Sequence, residues 1–578
     1  MLKYIFRVCK NRYLEKFRQL ILVFIVLGCG SNSKIAGNME QSKGLSGLKT
    51  DHSVLSPNSV LGANNAKSQS KSAECDPSIP EAGQRLTKLE YGNVIRDIFG
   101  LDQDFSKTFA LPSMGSAGFS TEGNIQNVSS EIVLDFYDAS VAVANAVLAK
   151  PPAFFANCTG DESCVKKIID TLILQGYRRP PMAEDTQKFF KLYTSATGAN
   201  FSSGMKLVIR ALLLSPHFIF RTPDNTVQPN GELGLVSLSD FELASKLSFF
   251  IWGSVPDEEL LKAATAGQLR DAKNLTAQTV RLLKSPKSAY LSRTFGEQWL
   301  GLAKLDKVNL DTTRFPDWNT SVRNSMRSET LMFMDNLVKN NLSPLEIIKA
   351  NYSFADQNIA KIYGISGGAI SSFEKITLDA NRRGILSHPA LLTMNSAGDH
   401  TTPVQRGKWV LEKMLCAAPP PPPDNIPALP VGQNMATKSE AKIRERLAAH
   451  RTQGATCTAC HTAMDPIGLT FENFDSSGIY RSKYADGTAI DASGVLPTGE
   501  KLKNFVDLAN VLEQDKRFSV CFVSYLSSFA NGIDMMASQN KCLAENIAKN
   551  TIQKDMKISD VVLEIVMSTP FRFRKIAK

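Results

Sequence analysis

Long β patterns, nucleic-acid motifs and hydrolase signatures are what this 578-residue chain has least of. No basic stripe is interleaved with aromatics, so nucleic acid is not an expected partner. Neither a G-x-S-x-G elbow nor a phosphate-cradling glycine loop occurs, which removes two common catalytic frameworks. No convincing internal repeat is found. Beyond residue 28 no stretch reads as long and apolar enough to span a bilayer, so no transmembrane helix is expected. Tryptophan is limited to Trp252, Trp299, Trp318 and Trp409. Exposed, they would serve as sugar platforms; burial in a core is the default for such large side chains.

The start of the chain is unlike the rest. Lys3, Arg7, Lys10, Arg12, Lys16 and Arg18 face one acid, Glu15, and "LILVFIVLG" follows. A basic region, a short apolar run and a small residue describe a secretory signal over 1–28. "VLGC" resembles a bacterial lipobox, which makes Cys29 the expected lipidated residue; an ordinary signal peptide or an uncleaved anchor is the plainer alternative. Residues 29–73 are rich in Ser, Asn, Gly and Lys and nearly free of aromatics. They cannot bury enough apolar area to offset ordering, and read as a flexible tether. The formal charge of +10 loses six basic side chains and one acidic one with the signal, leaving about +5.

Ten cysteines suit an oxidising compartment. With Cys9 in the signal, Cys29 lipidated and Cys457 and Cys460 set aside, an even set remains. The local pairings Cys158–Cys164 and Cys521–Cys542 leave Cys75–Cys416 as a long-range staple, reached by arithmetic alone.

From residue 84 onward helical periodicity dominates. "LTKLEYGNVIRDIFG" places Leu86, Leu89, Val94 and Ile98 on one face, with Thr87 and Glu90 as a capping box. "SLSDFELASKLSFFIWG" repeats this with Ser239 and Glu242. "TTPVQRGKWVLEKMLC" starts with Thr402 as N-cap and Pro403 in the first turn; its Val404, Leu411, Met414 and Leu415 form a buried stripe. "CAAPPPPPDNIPALP" predicts an extended strap. Asp486-Gly487 and Ser493-Gly494 mark tight turns of a small hairpin within 479–500.

One motif carries chemistry. "CTACH" sets Cys457, Cys460 and His461 in the C-x-x-C-H spacing of c-type haem attachment. Both thiols would add to the haem vinyl groups, and the imidazole would bind iron from one side. Composition alone gives about 0.002 such matches in this chain, so chance is a poor explanation. A redox dithiol, half a zinc site and a Cys457–Cys460 disulfide are the competing readings. The opposite iron ligand is open: His450, Met394 and His400 are the candidates, with His388, Met535 and Met536 more remote. His450 ends a predicted helix, where capping is the commoner role of a histidine. Asp465, Glu472 and Asp475 suit turn caps and hydrogen bonds to the haem surroundings better than a catalytic pair. Arg382 and Arg383 are candidates for haem propionates.

Seven segments in order carry a resemblance: "RLTKLEYGNVIRDIFG", "GYRRPP", "LLLSPHFIFR", "LSDFELASKLSFFIWGSVPDEELL", "RRGILSHPALLTMNS", "TTPVQRGKWVLEKMLCAAPPPPPDNIP" and "CTACHTAMDPIGLTFENFDSSGIYR". Over residues 84–572 the chain resembles a bacterial cell-envelope family of consecutive domains of unknown function. That family is known from planctomycete and myxobacterial proteins and is often described as cytochrome-c-like. The resemblance implies export, a helical body and a haem site, and names no reaction. A second C-x-x-C-H is absent, so one covalent haem c is expected.

The expected fold is mainly α: a multi-module helical body with a small β-hairpin and a cytochrome-c-like C-terminal region. Helical modules are expected at 74–150, 151–200 and 201–375, the motif-bearing module at 376–485, and a C-terminal helical module at 486–578. The expected role is electron transfer or a haem-dependent oxidation in the envelope. Lipid would anchor the chain, no nucleic acid would be bound, and a redox protein or a polysaccharide would be the partner. The alternative is a structural or polysaccharide-binding lipoprotein in which Cys457 and Cys460 form a disulfide.

Overall fold

A computed structural model describes residues 77–80, 83–110, 113–126, 128–196, 200–221, 235–365, 372–420, 442–452 and 454–575. The signal, Cys29, the tether, Cys75 and most of the proline-rich strap lie outside the described residues. The described chain is mainly α, and its sheets are all two-stranded.

Local sequence sets the helix starts. In α1 (Lys88–Phe99), Thr87 Oγ1 accepts from the Glu90 amide at 3.3 Å and the Thr87 amide donates to Glu90 Oε2 at 2.8 Å. This box satisfies two otherwise orphaned amides. Tyr91, Val94, Ile95 and Ile98 form the buried face, whereas Leu89 is exposed. At about 100° per residue Leu89 stands nearly opposite Tyr91, so the expected stripe was misplaced there. The helix α2 (Ser130–Ala149) packs against α3 (Phe201–Leu214) in an N-terminal core containing Phe136, Val143, Val147, Val208 and Leu212. By length and composition α2 could cross a membrane, contrary to expectation; Phe136, Tyr137, Val143, Ala144 and Val147 instead bury one face in that core.

A second and larger core joins the middle of the chain to its end. The start of α4 (Asp240–Trp252) carries the expected Ser239–Glu242 box. Short antiparallel pairings tie distant segments: Gln84–Arg85 to Phe220–Arg221, and Leu235–Ser237 to Phe573–Lys575. Trp299 is fully buried, and the Trp252 and Trp409 indoles donate to the Leu282 and Leu300 carbonyls at 2.9 and 3.1 Å. Trp318 is partly buried against the same core. Burial thus holds for these rings. In place of one hairpin, 479–500 carries an isolated bridge, Lys483 to Ala489, around Asp486-Gly487. Gly494–Val495 then pairs with Lys501–Leu502 beyond it.

The disulfides correct the cysteine arithmetic. Cys158–Cys164 forms as expected. Cys416, however, bonds Cys521, with Cα atoms 5.3 Å apart. That replaces both Cys521–Cys542 and Cys75–Cys416. The reason is packing: helix Lys516–Asn531 lies on helix Pro403–Leu415, where Tyr525 Oη donates to the Glu412 carbonyl at 3.2 Å. Cys542 is also disulfide-bonded.

A buried polar cluster braces the larger core. Glu329, Ser353 and His388 are each 0% exposed. Ser353 Oγ donates to Glu329 Oε1 at 2.6 Å, Tyr363 Oη donates to the same oxygen, and His388 Nε2 lies 3.0 Å from Ser353 Oγ. His388 Nδ1 stands 3.1 Å from Thr330 Oγ1, so neither ring nitrogen is left for iron. The serine gives its proton to the carboxylate and is sealed from solvent, which makes this a brace and not a nucleophile. Burial pushes the Glu329 carboxyl up to about 8 against the opposing hydrogen bonds of Ser353 and Tyr363. Burial first, and Arg382 second, push His388 down. An unfolded glutamate loses its proton near 4.5, so between there and about 8 the folded chain holds the extra proton. The Glu329 contribution to stability should therefore fall as pH rises through that window. Glu329→Gln, which keeps a neutral group, should flatten that part of the stability–pH curve, as measured by denaturant melts at stepped pH.

Candidate functional site

The helix α5 (Pro403–Leu415) and the helix α7 (Ala455–Leu469), with α6 (Ile443–Arg451) between them in sequence, build the site. Helix α7 was not expected; it holds the whole C-T-A-C-H motif and contains Pro466. Helical spacing of i, i+3 and i+4 sets Cys457, Cys460 and His461 on one face. Met464 and Ile467, one and two turns further along, pack into the larger core, and Cys460 is partly buried against it.

Two glycines fix this helix against α5. A Cβ on Gly407 would stand 2.1 Å from the Met464 carbonyl oxygen, and one on Gly468 would stand 1.9 Å from that of Pro403. Only bare backbone fits at either place. Arg406 adds a second fastening. Its buried guanidinium donates to the carbonyls of Phe471, Phe474 and Asp475 at 2.8, 2.7 and 2.8 Å, holding the turn that follows α7.

His461 is oriented from behind. Its Nδ1 donates to Asp465 Oδ1 at 2.9 Å, one helical turn on, and that carboxylate is 0% exposed. Such a partner sets the tautomer and leaves Nε2 as the nitrogen available to a metal. The ring lines a cavity of about 330 Å³, within the usual range for small-molecule sites. Pro403, Val404, Ile443 and Leu447 give the cavity apolar walls; His400, Gln405, Arg446 and His450 give it polar ones. The His450 ring stands 4.6 Å from that of His461, centroid to centroid, at 69°.

Cys457 and Cys460 carry free thiols. Burial, and secondarily Cys457, push the Cys460 thiol up. That opposes dithiol exchange, which needs a thiolate. Among the described residues no group of three or more His, Cys, Asp or Glu side chains could hold a metal ion, which weighs against a zinc site. Two unbonded thiols, where the other described cysteines are disulfide-bonded, and one imidazole with a fixed tautomer are the donor types that covalent haem needs, and the imidazole, though neither thiol, lines the cavity.

The remaining predicted residues divide clearly. His400 and His450 reach the cavity. Met394 is buried in the larger core and does not line it. Arg382 is 1% exposed and spends its guanidinium on the Ser387 and Gly478 carbonyls at 3.0 and 2.8 Å, so it is not free for a propionate. Arg383 donates to the Arg382 carbonyl. Glu472 accepts from Thr401 Oγ1 and Tyr484 Oη, and Asp475 caps the Ser477 and Ile479 amides, as turn chemistry expects. Sequence reading missed Arg446 and the direct Asp465 support; an i, i+4 search along α7 would have found the latter.

Comparison with known families gives five matches in chain order, each described as a protein of unknown function. They are DUF1587 over residues 84–149, DUF1595 over 164–222, DUF1592 over 238–365, DUF1588 over 382–484 and DUF1585 over 498–571. The chain belongs to this bacterial family of consecutive domains of unknown function. The cavity, the motif and all its lining residues fall inside the 382–484 match, a model carrying the short name PSCyt3. No curated protein and no solved structure matches the chain.

Gly407→Ala should lower stability by about 1–3 kcal/mol, because the new methyl group must push α7 off α5. Thermal melting should show a drop of several degrees, while Gly454→Ala, whose Cβ would meet nothing within 4 Å, should melt with the native chain.

Proposed function

We propose that this chain is an exported mono-haem c-type protein that transfers electrons in the cell envelope, with haem held by Cys457, Cys460 and His461. One observation carries the reading. The three motif residues share a face of one helix, and the histidine, braced by buried Asp465, lines an apolar cavity. Bound haem would supply a one-electron couple. The chain's own contribution is to orient the His461 imidazole, to exclude water with Pro403, Val404, Ile443 and Leu447, and to hold the proton on His461 Nδ1 against Asp465.

Export is supported by the basic and apolar segments of residues 1–28, and the Cys158–Cys164 and Cys416–Cys521 bonds suit an oxidising compartment. Lipidation at Cys29 would anchor the chain to the envelope at the outer membrane. The alternative, a polysaccharide-binding module with a Cys457–Cys460 bridge, has less support. Those thiols are unbonded, and Trp252, Trp299 and Trp409 are buried where sugar platforms would be exposed.

The test is production of the full chain in a periplasm with haem-maturation machinery. The expected product has a Soret band that survives acid–acetone extraction, and Cys457→Ala with Cys460→Ala abolishes that retention. His461→Ala should change the iron's ligand spectrum. A folded, colourless native chain with a mapped Cys457–Cys460 disulfide would overturn the reading.

A further inference from the structure

We infer that His450 is the second axial ligand of the iron, so that the site is a closed bis-histidine centre; this rests on the haem reading above. His450 is 4% exposed, in the last turn of α6, and its Nδ1 is buried without a hydrogen-bond partner. A histidine that capped its own helix would spend a ring nitrogen on a terminal carbonyl. This one makes no ring hydrogen bond among the described residues. A buried imidazole left without a partner is costly, and a metal would supply the missing interaction. The ring stands against that of His461, centroids 4.6 Å apart, and both rings line the cavity.

The other candidates fit less well. His400 has its Nδ1 against Asp399 Oδ1 at 2.6 Å and a side chain 37% exposed. Met394 lies in the core, away from the cavity.

Two imidazoles on one metal stand about 6 Å apart, centre to centre, at metal–nitrogen bonds of about 2 Å. The pair must therefore open by roughly 1.5 Å from its 4.6 Å separation. The helix carrying His450 is the wall able to give. Its buried residues Ile443 and Leu447 join only Leu469 in a satellite cluster, with Val404 partly buried against it, apart from the larger core. Arg446, one turn before His450, lines the same cavity and makes no ion pair among the described residues. It is placed to meet a carboxylate of the bound group. With both axial positions taken by protein, the iron would pass electrons and bind no small molecule. Imidazole in place of a methionine thioether also keeps its potential low.

The experiment uses the full chain matured with haem, read by visible and electron-paramagnetic-resonance spectra. The native chain should be six-coordinate and low-spin. His450→Ala should become high-spin and bind added imidazole at least roughly tenfold more tightly than the native chain. His450→Met, which keeps a ligand, should stay low-spin with a raised potential, guarding against a merely misfolded alanine variant. His400→Ala should stay six-coordinate and low-spin, as its ring is not the ligand. A low-spin His450→Ala, a high-spin His400→Ala, or a native chain with covalent haem that is five-coordinate would overturn this assignment alone. A native chain without covalent haem would overturn it together with the proposed function.

Discussion

The contact of bare backbone at Gly407 and Gly468 is the constraint on which the site depends. Where two helices meet through side chains, each can roll by tens of degrees and repack. Here the Met464 and Pro403 carbonyl oxygens occupy the space that two Cβ atoms would need, so the approach is set by atoms that cannot change rotamer. Rotation of the motif helix follows. With Gly468 turned toward Pro403, His461, two turns earlier on the same side, is brought beside Pro403 and Val404 at the cavity, while Met464 and Ile467 enter the core. Arg406 reinforces this by gathering carbonyls of the turn behind the helix, a role that only a buried guanidinium with several donors can fill.

Much of the fold was legible because its signals are local. The Thr87–Glu90 and Ser239–Glu242 boxes and the early proline of "TTPVQRG" act within one helical turn, and each helix begins where they say. Pairings between distant segments were not legible. Cys416 meets Cys521 because two helices cross, and no spacing rule contains that crossing. Helix α2 shows the opposite failure: its composition satisfies a membrane rule that its packing against α3 makes irrelevant.

The site itself was half visible. The motif announced Cys457, Cys460 and His461, but "GATCTACHTAMDPIGL" has two glycines, three threonines and an interior proline, all poor helix formers. Tertiary contact overrides that preference, and without the helix the i, i+4 relation of His461 to Asp465 could not be seen. Choosing among distal candidates needed three dimensions. Met394 and His400 are near neighbours in sequence, yet the first turns into the core and the second reaches the cavity.

The two walls of the cavity differ in how firmly they are held, and that difference has a chemical sense. His461 sits on a helix locked by glycine contacts and by residues of the larger core. His450 sits on a nine-residue helix whose buried anchors, Ile443 and Leu447, belong to a separate small cluster. Elements with few buried apolar contacts open at low free-energy cost, while well-buried ones open only with the whole fold. On the proposed reading, a group attached at the motif would enter an already oriented face, for which a rigid motif side is suited. The facing helix would then yield by a small distance and close, because rings that touch leave no plane between them. A rigid attachment wall opposite a lightly tethered one meets both demands, and a site with both walls locked would meet only the first.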